Sequence, residues 1–216
     1  MLYFATPSTP AVRAAMAAGL LGAVDTPGQM NILGPTVTWL ADNGCGPGRD
    51  GTIARGYPGD AAWLAWLQAH RHPHLCRFAT APDVVGDAVA TLARSAPFLP
   101  VIRALGYPAA LVAQDGLEAL EVPWESFDVL FLGGTTSWKL SRHAQALTAE
   151  ALGRGVPVHM GRVNSLRRLR HAQRTGCTTA DGTIIAHAPD RRLPEVLGWM
   201  NAMGQQMLDW TDERTS

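Results

Sequence analysis

Eight short apolar runs, rich in β-branched and aromatic residues, recur along the chain, each followed by a loop and usually by helical periodicity. They fall at residues 2–6, 22–26, 36–41, 76–81, 109–114, 129–132, 156–160 and 177–180. Strands that alternate with helices pair in parallel, because a parallel neighbour is reached only through a crossover long enough to hold a helix. Eight such units predict an α/β chain closed as a compact (β/α)8 TIM-type barrel, with a doubly wound open sheet as the alternative.

Helix candidates lie between the runs. Residues 10–20 carry Thr9 as N-cap and Val12, Met16 and Leu20 on one stripe; residues 58–69 bring Trp63, Trp66 and Leu67 together. Residues 84–105 read as a helix broken at Pro97 and Pro100, and further helices are expected at 141–154, 165–175 and 194–210, the last followed by a short polar tail. Barrels of this type use about 250 residues, so 216 predicts some shortened helices, above all after the second and fifth strands. The whole length, 1–216, reads as a single barrel domain, and a 47% hydrophobic content is enough to fill its core.

Lysine plus arginine and aspartate plus glutamate both total 18, so no global basic field marks a polyanionic partner, and any nucleic-acid surface must be local. Cys45, Cys76 and Cys177 are odd in number and far apart, which fits neither a disulfide framework nor a CxxC zinc pattern and points to a reducing cytoplasm. The start MLYFATPSTP lacks a basic segment followed by an apolar one, and no apolar run reaches about 18 residues, so no membrane association is expected.

In a barrel the chemistry gathers at the carboxyl ends of the strands. Here those ends read Ala41-Asp42-Asn43-Gly44-Cys45, Ala81-Pro82-Asp83, Gln114-Asp115-Gly116, Gly133-Gly134, Gly161-Arg162 and Ala180-Asp181-Gly182. Asp42-Asn43-Gly44 and Asp181-Gly182 are also ordinary turn sequences, and Asp83 could cap a helix; what singles them out is their place on one rim. Residues 161–176 carry Arg162, Arg167, Arg168, Arg170 and Arg174 with no acidic residue, which reads either as a backbone-binding patch or as a solvated helix face. Trp138 reads as helix packing or as a stacking platform for a base, with Lys139 beside it as a phosphate contact, and His70, His72 and His74 as an exposed loop or a metal site.

The ordered segments TWLADNGC, CRFATAPDVVGD, ALVAQDG, DVLFLGG, VHMGRVNS and GCTTADGT together resemble the tRNA-guanine transglycosylase superfamily, and more closely its short DpdA-like DNA-guanine transglycosylase branch of phages and bacteria. The resemblance runs from the first strand to about Asp190. It implies exchange of guanine in DNA for a free 7-deazaguanine such as preQ0, with no cofactor. It makes Asp181 the nucleophile and Asp42 the proton-handling carboxylate, and it places Asp83, Gln114, Gly133, Gly134 and Gly161 around the base. Arg162, Asn164, Arg167, Arg168 and Lys139 would then hold the nucleic-acid backbone. The tRNA enzymes read DSGG and QGG where this chain has DNGC and QDG, and they carry a cysteine-histidine zinc subdomain after the barrel. No cysteine or histidine follows Asp190 here, so no structural zinc is expected, and DNA is favoured over tRNA. A helper protein or a homodimer is compatible with this reading. Alternatives that remain open are a tRNA-guanine transglycosylase, a metal-dependent barrel hydrolase and a non-catalytic nucleic-acid-binding module.

Overall fold

The computed structural model describes residues 1–29, 31–45, 56–70 and 72–212. Eight parallel strands close into a barrel in sequence order, β8 pairing with β1. They are β1 Leu2–Ala5, β2 Gly22–Asp25, β3 Trp39–Ala41, β4 Cys76–Thr80, β5 Ala109–Ala113, β6 Val129–Leu132, β7 Val158–Met160 and β8 Thr179–Asp181. The described residues hold nine α-helices: α1 Pro10–Ala17, α2 Asp60–Ala69, α3 Ala88–Ser95, α4 Phe98–Ala104, α5 Thr136–Lys139, α6 Arg142–Gly153, α7 Leu166–Arg174, α8 Ile184–His187 and α9 Pro189–Asp212. The fold is thus the α/β (β/α)8 barrel.

The period-two alternation of the strands separates two cores. Phe4, Leu40, Phe78, Ala110, Val112, Val129 and Phe131 point inward and fill the lumen. Their neighbours Tyr3, Ala5, Trp39, Leu111, Leu130 and Met160 point outward and pack with Val12, Met16, Trp63, Leu67, Leu147 and Leu169 of the helices. A Cβ on Gly22 would strike the Phe4 ring, so the lumen is filled by an aromatic that needs a glycine opposite.

Thr9 caps α1, its side chain accepting from Val12 N–H at 3.3 Å. Among the described residues the links after β2 and β5 hold only short 3-10 turns, Pro27–Gln29 after β2 and Leu117–Ala119 and Trp124–Ser126 after β5. The segment expected as one broken helix is two helices, α3 and α4, with Pro97 between them. Pro100 does not break the chain: it lies in the first turn of α4, where its missing N–H has no intrahelical partner to lose. The last helix starts five residues before its expected position, at Pro189, and carries Pro194 inside it. The end of the expected polar tail, residues 213–216, lies outside the described residues. No helix among the described residues is long and apolar enough to cross a membrane.

Candidate active site

The carboxyl ends of the strands surround a cavity of about 200 Å³ lined by Asp42, Asp83, Asp181, Gln114, Arg162 and Gly133, with Asn43, Cys45, Thr80, Val85, Val112 and Phe131 completing its wall. Drug-sized pockets start at roughly 300 Å³, so this one suits a single flat ring system. A larger cavity of about 630 Å³ lies on the barrel's flank, against Leu92, Leu99, Leu111 and Pro123, beside the link that has no full helix. It gathers no comparable set of carboxylates and amides, so the smaller cavity is the candidate site.

The strand ends bring Asp42, Asp83 and Asp181 together. Asp42 follows β3 and accepts from Gly44 N–H at 2.7 Å. Burial at the cavity floor pushes its carboxyl up to about 6; negative charge on Asp181 and Asp83 adds to the rise, while the Gly44 bond and Arg162 oppose it. A carboxyl that titrates there can both give and take a proton near neutral pH.

Asp83 is buried in an amide clamp. Gln114 Nε2–H donates to its Oδ2 at 2.7 Å and Asn43 Nδ2–H to its Oδ1 at 3.3 Å. Burial raises its pKa, and these two donors oppose the rise. Both amides are themselves fixed: Gln114 Oε1 accepts from Gly86 N–H at 3.0 Å, while Asn43 donates to Ala81 O at 2.8 Å and accepts from Cys45 N–H at 2.6 Å. Asp83 lines the cavity with both oxygens held in place, so the clamp presents a carboxylate acceptor to a ligand with N–H donors. Burial also pushes the Cys45 thiol up to about 12, which keeps it protonated and unreactive at neutral pH.

Asp181 ends β8, pointing inward as Thr179 does. Its Oδ1 is 2.9 Å from Nε2 of His159, which is fully buried, and its Oδ2 lies 3.4 Å from Arg162 N. His159 Nδ1 is 2.8 Å from Thr179 Oγ1. Neither His159 nor Thr179 stands out in the sequence, because VHM reads as part of an apolar run; the available signal is the alternation, which turns the middle residue of β7 into the lumen.

The glycines divide. A Cβ on Gly133 would overlap the Val112 side chain and lie 3.2 Å from Gln114 Nε2, and one on Gly161 would lie 2.6 Å from the Phe131 ring and 3.3 Å from Asp181 Oδ1. Both must be glycine for the wall to form. A Cβ on Gly134 instead meets Asp115 and Trp138, away from the cavity wall, where Asp115 accepts from Thr135 N–H at 2.7 Å.

The residues assigned to a nucleic-acid backbone also divide. Arg162 lines the cavity with φ 56°, the only positive φ outside glycine among the described residues, and its guanidinium donates to Gly133 O at 2.8 Å. Such strain gathers at functional sites. Arg167 is exposed on α7, and Arg168 reaches back to Arg162 O at 3.4 Å. Lys139 is buried, its Nζ donating to Gly161 O at 2.5 Å; burial lowers its pKa to about 8, with Arg162 adding to the fall and Asp181 opposing it. It supports the wall from behind and presents no surface to a phosphate. Asn164 is also committed: its Oδ1 accepts from Thr183 N–H at 2.8 Å and Ile184 N–H at 3.1 Å, which holds the turn after Asp181.

The histidines at 70, 72 and 74 do not converge. His70 stacks on Trp39 with ring centroids 3.7 Å apart and faces Asp25, its Nε2 3.4 Å from Oδ2, while the rings of His72 and His74 meet edge to face. Among the described residues no three histidine, cysteine, aspartate or glutamate side chains are placed to share a metal ion. Trp138 packs as a helix residue, with Nε1–H donating to Glu118 at 2.8 Å.

Fold and site define a (β/α)8 barrel with a small, carboxylate-lined mouth. No protein-family model and no curated protein matches the chain.

Proposed function

We propose that this chain is a pentosyl-transferring enzyme that exchanges guanine in DNA for a free 7-deazaguanine. One observation carries the reading: Asp42, Asp83 and Asp181, from three distant parts of the sequence, line one cavity of ring-system size in three different environments. Cleaving a base from its sugar builds positive charge on the anomeric carbon, and a carboxylate nucleophile paired with a carboxyl acid and base answers that need.

Asp181 is the nucleophile, partly exposed to the cavity and held by His159. Asp42, raised to about 6, protonates the departing base and accepts the proton of the incoming one. Asp83, clamped by Asn43 and Gln114, accepts from the N1–H and 2-amino edge of guanine. The cavity is too small for a stacked nucleotide, so the target base enters extruded from the strand or from single-stranded DNA. Arg162, Arg167 and Arg168 hold the phosphates. The resemblance to the DNA-guanine transglycosylases supports the same assignment of the aspartates.

The test is incubation with guanine-labelled DNA or tRNA plus preQ0. Label leaves DNA in the presence of the wild-type protein and stays in place with Asp181→Asn. Release from tRNA alone replaces the substrate, and no release from either nucleic acid overturns the reading.

A further inference from the structure

We infer that His159 is the positioning residue for Asp181: it holds Oδ1 from below, makes Oδ2 the oxygen that bonds the sugar, and speeds breakdown of the resulting ester. The inference rests on the base-exchange reading and adds to it a reason why the reaction runs in both directions.

The arrangement follows from strand register. His159 pairs with Thr179, and both turn inward, as does Asp181 two residues further on. The imidazole lies in an apolar cage, its centroid 4.5 Å from that of Phe131 and 5.1 Å from that of Phe78. With a neutral imidazole one hydrogen arrangement satisfies all three groups: Thr179 O–H donates to Nδ1 at 2.8 Å, and Nε2–H donates to Asp181 Oδ1 at 2.9 Å. In a hydrolytic triad the carboxylate is buried and the hydroxyl meets substrate. Here the carboxylate is the member of the three that lines the cavity, its side chain 16% exposed against 0% for His159, so the carboxylate is the reacting end.

In the first half-reaction Oδ2 bonds to the anomeric carbon, the carbon–nitrogen bond breaks with its electron pair going to guanine, and Asp42 supplies the proton. In the second, the incoming base gives its ring N–H proton to Asp42 and bonds to the carbon, while the carbon–oxygen bond breaks and its pair returns to Oδ2. No proton leaves His159. A donor on Oδ1 stabilises the ionised carboxylate more than the carbonyl of its ester. It therefore makes aspartate a better leaving group, which the second half requires and simple hydrolysis of a base does not.

Two measurements test this on the whole protein. Nitrogen NMR of histidine-labelled protein is expected to show His159 with the proton on Nε2, and its signal shifts in Asp181→Asn; a proton on Nδ1 alone, or no response to that substitution, overturns the inference irrespective of activity. Single-turnover kinetics with a guanine-labelled DNA oligomer and labelled preQ0 then separates the halves. His159→Leu lowers base incorporation about 10- to 100-fold more than guanine release, so that the covalent complex accumulates, and His159→Gln, which restores an N–H, recovers part of the loss. Equal losses in both halves, the same for Leu and Gln, make His159 a core residue and overturn the inference. Absence of guanine release by the wild type overturns the base-exchange reading itself, and with it the role in ester breakdown, whatever the NMR shows.

Discussion

Replacing Asp42 by asparagine separates the cost of the site from its use. In the unfolded chain Asp42 ionises near 3.8, and in the folded protein near 6. Because the folded state holds the proton more tightly, stability is fully present below pH 4, falls as pH rises to about 6, and levels off above. The difference of about two pKa units corresponds to about 3 kcal/mol. The cavity is open to water, so about half of that is a sounder expectation. The asparagine amide would keep an oxygen for Gly44 N–H and lose only the charge. Asp42→Asn is therefore expected to melt higher than wild type at pH 8, by roughly 3–6 °C for a domain of this size, and to melt at nearly the same temperature at pH 4. Thermal unfolding from pH 4 to pH 8 followed by circular dichroism reads the gap directly. A gap that does not change with pH, or a variant less stable than wild type at pH 8, refutes the reasoning.

Other outcomes follow from single contacts. Asn164→Ala leaves Thr183 N–H and Ile184 N–H without their acceptor and is expected to cost about 1–2 kcal/mol in a urea titration, with faster hydrogen exchange at both amides. Arg162→Gly removes the positive-φ strain and is expected to be about 1 kcal/mol more stable than Arg162→Ala, while both bind DNA more weakly than wild type. Arg167→Ala is expected to reduce the salt dependence of DNA binding by nearly one unit of slope, while Lys139→Met, altering a buried amine, leaves that slope unchanged. Gly161→Ala drives a methyl into the Phe131 ring and is expected to lose about 1–3 kcal/mol of stability along with exchange activity.

The architecture is legible because each strand is an apolar run bounded by glycine, proline or aspartate, and because a parallel sheet needs the helices that follow. Even the helix-poor links after β2 and β5 are readable from their length. Strand edges are less so: the last strand, expected at 177–180, is Thr179–Asp181, which makes Asp181 a strand residue with a fixed inward direction. The carboxylates at the rim can be picked out from the loops, but their partners cannot. His159 looks like one more apolar-run position, and only the pairing of β7 with β8 places it under Asp181. The partners of Lys139 and Asn164 are hidden for the same reason. Nothing local marks Gly161 O as the acceptor for one, or the backbone 20 residues downstream as the partner of the other.

The central claim is that Asp181 bonds covalently to a sugar whose base has left. Intact-mass spectrometry of the protein mixed with a guanine-containing DNA oligomer and no incoming base, quenched in acid, measures it. The account predicts a species equal to protein plus oligomer minus guanine, located by peptide mapping at Asp181 and missing in Asp181→Asn. An adduct on another residue, or guanine released with no adduct at any time, contradicts it.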